Sequence, residues 1–302
     1  VRTLPGASPS PPRAGVQADI IDAYVRRTND PDIDLASWLL DGAPMGITRP
    51  VTSRGVFPVS DNAAKQWRPG LISSDPAGWE NYRSAEEDPA VTTSILTSMV
   101  AKGWARSTTS WSHLLEMANT DQVTLNKLSL ISKLRSDGTY KHRLVWDLKR
   151  SEVNDYISQG ERIILPRLID AVQDGIAALP SHPWWFGTDI SDAFHQVPLH
   201  PVEQQFTATS FQGVYYIFSV LVFGSGSAPT VWGRYAAFIG RSSAALLTPL
   251  GGSIQIFVDD PLYVLPGPRE RATRVATIAT LWLTILGFPL AWHKTEAGRT
   301  IT

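Results

Sequence analysis

Three acids in this chain stand where an apolar run stops. Asp189 follows Trp184–Thr188, and Asp259-Asp260 follow Ile254–Val258. Strand alternation puts Ile254, Ile256 and Val258 on one face and sends Asp259 to the other with Phe257. Asp259-Asp260 would then fill a two-residue turn before Leu262-Tyr263-Val264, a β-hairpin with carboxylates at its tip. If the strand that ends at Asp189 lies beside that hairpin, three carboxylates meet at one sheet edge. They repel one another and lose hydration there, and a hard divalent cation relieves both penalties. Oxygen donors select Mg²⁺ or Mn²⁺, and with no cysteine in the chain no thiolate competes. Two such ions about 3.5–4 Å apart activate a hydroxyl and stabilise a leaving oxygen in an in-line displacement, the chemistry of nucleotidyl transfer. Singly, the residues say less: an Asp-Asp turn is commonly a solvated loop, and Asp189 alone serves equally as a helix N-cap.

The elements that must position these acids are legible in the same half of the chain. Leu128–Lys133 and Lys141–Asp147 alternate as strands around the turn Ser136-Asp137-Gly138. Leu165–Leu179 has a helical pattern with Asp170 and Asp174 on its wet face. Gly213–Phe223, aromatic and β-branched, is predicted as a strand. Ala228–Leu247 is predicted as a helix with Pro229 in its first turn, and Arg269–Leu286 as a second long helix. Strands and helices mix without a regular βαβ rhythm, so the fold class is α+β. Further upstream, Ala18–Trp38 has a loose helical pattern, Gly42–Gly70 reads as irregular loop, and Val91–Lys102 as a helix.

Five segments, in order, carry a resemblance. They are Arg143-Leu-Val-Trp-Asp147-Leu-Lys149-Arg150-Ser-Glu-Val-Asn154, Asp189-Ile-Ser-Asp-Ala-Phe194-His-Gln-Val-Pro198-Leu, Phe223-Gly224-Ser-Gly-Ser-Ala228-Pro229, Phe257-Val258-Asp259-Asp260, and Leu286-Gly287-Phe288 followed by Lys294-Thr295. Together they resemble the fingers motif and palm motifs A to D of reverse transcriptases, RNA-directed DNA polymerases of retroelements. The resemblance covers residues 121–302. It implies right-hand polymerase architecture with fingers and palm, an antiparallel sheet packed on helices. The chain stops eight residues after Lys294, where a thumb would follow, so the reading is of a thumbless fragment.

The resemblance also implies roles. Asp189 and Asp259 would hold two Mg²⁺ ions, with Mn²⁺ as the alternative, assisted by Asp260 and the Ile190 carbonyl. Lys133 and Arg143 would meet the triphosphate of an incoming dNTP, and Lys294 would contact phosphate or protonate pyrophosphate. Phe194, five residues after Asp189, would pack beneath the sugar and exclude a 2′-hydroxyl. Gly224 and Gly226 would let backbone approach the templating base and nucleotide closely. Asp147 reads as structural. Phe223 stands where retroviral enzymes often carry Gln, and the Phe form resembles retrotransposon and pararetroviral enzymes. Two features depart from the family pattern. The fingers motif has two extra residues before Asn154, and Pro261 directly follows the Asp pair, where it would remove a ladder donor.

Composition bounds the rest. Of 302 residues, 43% are hydrophobic and 18% charged, enough for a sizeable core, and 11 are Trp. The net charge of −1 excludes a globally basic nucleic-acid binder. Yet Leu128–Arg150 holds Lys133, Arg135, Lys141, Arg143, Lys149 and Arg150 against Asp137 and Asp147, a local excess of four positive charges. Val214–Phe223 is too short to span a membrane, and uncharged Val275–Trp292 is broken by Gly287 and Pro289, so it reads as a buried helix. No secretory signal is visible and cysteine is absent, which fits an intracellular protein. Residues 1–17 read as a disordered tail, and 18–120 as a helical and irregular region of unknown role. The expected partners are an RNA or DNA template-primer and dNTP. The competing readings are an inactive retroelement remnant that at most scaffolds nucleic acid, and an RNA-dependent RNA polymerase. The latter would be expected to have Gly before the Asp pair and a smaller residue near Phe194.

Overall fold

The computed structural model describes residues 15–61, 64–70, 74, 79–135 and 137–300. Most of the predicted tail and Ser136 of the predicted turn lie outside them. Gly15–Gln17 do not belong to a tail: Val16 is buried and the Gln17 amide donates to the Leu286 carbonyl at 2.8 Å. The upstream elements are α1 (Ala18–Thr28), α2 (Leu35–Asp41), α3 (Arg83–Glu86), α4 (Pro89–Ala101), β1 (Ala105–Thr108) and α5 (Trp111–Ala118). Then come β2 (Lys127–Leu134), β3 (Tyr140–Asp147), α6 (Leu168–Ala177), β4 (Trp184–Gly187), β5 (Thr209–Phe211) and β6 (Val214–Phe218). The chain closes with α7 (Ala228–Leu247), β7 (Ser253–Phe257), β8 (Asp260–Leu265), α8 (Arg269–Ile285) and β9 (Glu296–Gly298).

Helices and antiparallel sheets mix as the α+β reading requires. β7-β8-β4-β9 form the central sheet, β1-β6-β5 a second, and β2-β3 a long hairpin. In the central sheet Phe186 pairs with Tyr263 and Gly187 with Leu262. Alternation along β4 turns Trp184 and Phe186 towards α8, where Phe186, Leu247, Tyr263, Leu265, Ala272, Val275 and Ala279 share a core. Trp185 faces α6 instead, against Gly175.

Several expectations need correction. The helical pattern over Ala18–Trp38 breaks into α1 and α2, because Asn29 adopts left-handed backbone (φ 52°) and Pro31 follows two residues later. The predicted strand Gly213–Phe223 is shorter. It begins after a Gln212-Gly213 turn in which both residues have positive φ, as a type I′ hairpin needs, and ends at Phe218. Leu221 and Val222 beyond it are fully buried without being strand. Helix α6 is inverted relative to its hydrophobic pattern. Asp174 turns inward and accepts from Gln255 at 2.9 Å, while Leu168, Ile169, Val172 and Ile176 are exposed. Its small residues, Ala171 and Gly175, are what fit beneath the sheet.

The upstream region is built into the same core as the rest: Ile21, Val25 and Leu35 are buried with Val231, Tyr235 and Phe238 of α7. β1 also pairs with β6, Ala105 opposite Phe218. A charged seam reinforces this contact. Arg234 of α7 is fully buried, bonded to both oxygens of Asp32, to Asp34 at 2.9 Å and to the Thr52 carbonyl at 3.0 Å, with its guanidinium over Trp38. Arg241 binds Asp30 at 2.7 Å, and Arg54 binds Asp34 at 2.7 Å. Removing one partner of such a pair strands the other charge away from water. Arg234→Ala should therefore lower stability by about 3–5 kcal/mol, read as the urea unfolding midpoint. A loss below about 1 kcal/mol would show that the seam holds nothing together.

Candidate active site

β4 and the β7–β8 hairpin carry the acids. Beyond β4 the ladder continues: the Thr188 amide donates to Pro261 at 3.1 Å, and the Ile190 amide to the Asp259 carbonyl at 2.8 Å. The Asp189 carbonyl in turn accepts from Ala291 at 2.8 Å, so Asp189 and Ile190 are held between the hairpin and the segment after α8. The turn itself differs by one residue from the sequence reading. Phe257 pairs with Asp260, so the two-residue loop is Val258-Asp259 and Asp260 opens β8. In a two-residue hairpin the flanking pair is the hydrogen-bonded one, so the next pair, Ile256 with Pro261, exchanges none. Pro261 therefore takes no donor from the hairpin. Val258 has φ 59°, a conformation that is an outlier for a β-branched residue and costs about 1–3 kcal/mol.

The three carboxylates meet. Asp189 is 8% exposed. Burial, then the nearby charge of Asp189, raises the Asp259 carboxyl above the usual range, opposed by Lys294 and Arg143. Asp260 is pushed up to about 6, by desolvation first and then by Asp259 and Asp189, and it shares a hydrogen bond with Asp189. The Lys294 ammonium binds Asp189 directly, and thus supplies positive charge at the acids. The donor set is all oxygen and net negative, which suits Mg²⁺ or Mn²⁺. It is not a ready-made cage: among the described residues no three His, Asp or Glu side chains are grouped so as to hold a metal ion.

Phe194 and Phe223 form an aromatic wall. Phe194 packs on Phe223 with centroids 5.2 Å apart, and the Arg143 guanidinium lies 4.8 Å from the Phe223 ring. Residues from the fingers strand, the motif A segment and the loop before α7 thus touch in sequence. Lys133 is apart from this group. It is exposed, opposite Lys141 and on the same hairpin face as Arg143, about 7 Å farther out along the ladder. Asp147 is structural as expected, accepting from Tyr82 Oη and from the amides of Lys149 at 3.1 Å and Arg150 at 2.8 Å.

The loop before α7 is tied to the fingers. Gly224 has φ 110°, and a Cβ there would lie 1.9 Å from the Trp146 carbonyl oxygen, so the close approach visible here is to β3. Asn154 spans the loop: its Nδ2 donates to the Gly224 carbonyl at 3.0 Å, and its Oδ1 accepts from the Gly226 amide at 2.9 Å. The two extra residues in the fingers motif leave this clamp intact. Sequence reasoning did not find Trp232, whose indole reaches the hairpin tip, or His195. A Trp one turn after Pro229 is the only sequence signal for the first, and it looks like any core residue.

The chain's residues 121–301 match the family model described as reverse transcriptase (RNA-dependent DNA polymerase). The chain belongs to the reverse transcriptase family. Among solved structures it is similar to the protease-reverse transcriptase of prototype foamy virus. A selenomethionine-labelled CSH mutant of that protein is 18% identical, with a TM-score of 0.49, covering 74% of this chain and 26% of that one. The native protein is also 18% identical, with a TM-score of 0.47, covering 72% and 25%. This reverse transcriptase chain thus spans about a quarter of the length of those viral proteins. No curated protein matches it. Among its described residues no helix is long and apolar enough to cross a membrane; uncharged Val275–Trp292 is the end of α8 and the turn at Gly287 (φ 82°).

His195, next to Phe194, is 5% exposed, stacked on Trp104 at 4.4 Å, and neither ring nitrogen has a partner among the described residues. Burial pushes its imidazole from 6.5 down to about 4, with Asp192 pulling the other way. Above pH 6.5 folded and unfolded forms are both neutral. As the pH falls from 6.5 towards 4 the unfolded chain takes the proton first. Stability should drop over that window by roughly 3 kcal/mol. His195→Phe should flatten this limb of a urea-midpoint profile; an unchanged profile would show that His195 is not its source.

Proposed function

We propose that this chain is the catalytic part of a retroelement RNA-directed DNA polymerase, which joins dNTPs to a primer 3′-hydroxyl on an RNA or DNA template. The observation that carries the reading is the convergence of Asp189 with Asp259 and Asp260 from two separate strand ends, secured by the Ile190–Asp259 hydrogen bond. Asp189 and Asp259 would hold two divalent ions, with Asp260 and the Ile190 carbonyl assisting. When bound, the ions would lower the pKa of the attacking hydroxyl and neutralise the leaving pyrophosphate.

The chain's own groups do the remainder. Arg143 stands over the Phe223 ring beside the acids, where a triphosphate would find a fixed positive charge. Lys133 and Lys141 face each other on the same hairpin side, a like-charge pair that an anion would relieve. Lys294 would exchange Asp189 for a phosphate oxygen as substrate and metal enter. Phe194, braced by Phe223, would fill the space a 2′-hydroxyl needs. Gly224 would keep the loop low enough for a base pair to pass, and a template-primer would lie along the fingers hairpin. The protein would work inside the cell.

One observation favours a second reading, an inactive scaffold: Lys294 already neutralises Asp189. Primer extension on an RNA template separates the two. Polymerase activity predicts Mg²⁺-dependent extension with dNTPs, and Asp259→Ala should lower it by at least about 10³-fold with the fold intact by circular dichroism. Equal extension by parent and variant would remove the metal assignment, and template-primer binding without extension would favour the scaffold.

Sugar selection is a separate test. Phe194→Ala opens the wall and should raise the NTP-to-dNTP ratio of kcat/KM by at least about tenfold. An unchanged ratio would mean that Phe194 is only a core aromatic.

A further inference from the structure

We propose that Trp232 is a positioning residue that locks the acid-bearing hairpin tip in its working shape. The proposal rests on the polymerase reading for the use made of that tip; the restraint itself belongs to the chain. Val258 is the first residue of the two-residue turn and sits at φ 59°. A β-branched side chain is crowded in that conformation, and the turn relaxes unless something outside the hairpin holds it. The Val258 carbonyl belongs to the planar peptide that leads into Asp259, so the orientation of that peptide sets the direction in which Asp259 leaves the backbone.

Trp232 holds this group. Its indole N–H donates to the Val258 carbonyl at 2.8 Å. The next carbonyl, of Asp259, receives the Ile190 amide at 2.8 Å. Two consecutive turn carbonyls are thereby tied to two different elements, α7 and the segment after β4. The donor is firmly mounted. Trp232 is fully buried, its ring lies 6.3 Å from Tyr235 and 6.0 Å from Phe288 by centroids, and Tyr235 Oη bonds the Leu35 carbonyl at 2.8 Å. An indole is required, because a phenyl ring of similar shape has no donor and would leave the half-buried Val258 carbonyl without its protein partner.

Trp232→Phe keeps the ring and removes the hydrogen bond. In the metal-free protein, hydrogen–deuterium exchange over residues 256–262 should quicken by roughly tenfold, while peptides covering β4 and α8 keep the parent rate. In a Val258→Gly background, where the turn no longer needs the restraint, the same substitution should change exchange by less than about twofold. Mn²⁺ affinity, read by electron paramagnetic resonance, should weaken by roughly tenfold in Trp232→Phe, and kcat for primer extension should fall with KM for dNTP unchanged. Exchange that is unaltered, or quickened equally throughout the sheet, would overturn the assignment. If the parent binds no Mn²⁺ while the local, Val258-dependent exchange effect holds, the restraint stands and the metal reading falls.

Discussion

The hydrogen bond from Ile190 to the Asp259 carbonyl joins two strand ends that their own charges drive apart. It extends the β4–β8 ladder past the last regular pair, Gly187 with Leu262, to the point where the side chains become carboxylates. Most of what surrounds it serves to keep that junction closed. Lys294 and Arg143 offset the negative charge, Ala291 holds the far side of Asp189, and Trp232 holds the strained peptide next to Asp259. Backbone hydrogen bonds suit this task. They fix position without adding charge, so the acids keep their net negative charge while losing their freedom to separate.

The junction is reached from far upstream in the chain. Asp30, Asp32 and Asp34 follow one another at alternate positions and clasp Arg241, Arg234 and Arg54. Two of those arginines sit on α7, the helix that begins at the loop clamped by Asn154 and carries Trp232. Asp30, Asp32 and Asp34, in a region for which the sequence suggested no role, thus support the helix that supports the hairpin. Of the arginines they hold, Arg234 is fully buried while Arg54 and Arg241 are partly exposed, whereas Lys133, Lys141 and Arg143 of the fingers hairpin face water.

Where local pattern and tertiary demand agreed, the sequence was readable. Ala228–Leu247 matches α7 residue for residue, because Pro229 marks its first turn and apolar residues surround it. β4 and the acid hairpin were legible because an apolar run ends at a charge, a period-two signal that few other arrangements produce. The turn slipped by one residue because turn chemistry argued for Asp-Asp at the corner, whereas register across Ile254–Tyr263 put Val258 there despite its poor fit. Helix α6 misled in the opposite way. Its apolar stripe was plain, but the sheet took its small face, and nothing local could announce that. Trp232 and His195 were invisible for a related reason. A buried aromatic side chain carries the same pattern whether or not its nitrogen has work to do.

The fingers hairpin ends in a stretch with little behind it. Ile131, Lys133, Leu134 and Tyr140 are all exposed, and Lys133 opposes Lys141 across the ladder. Two like charges directly opposite weaken the pairing of this exposed stretch, most of all in dilute buffer. Salt or a bridging anion would screen that repulsion, so the pairing of this tip, held by the Ser132–His142 hydrogen bond and the Tyr140–His142 stack, would tighten with ionic strength.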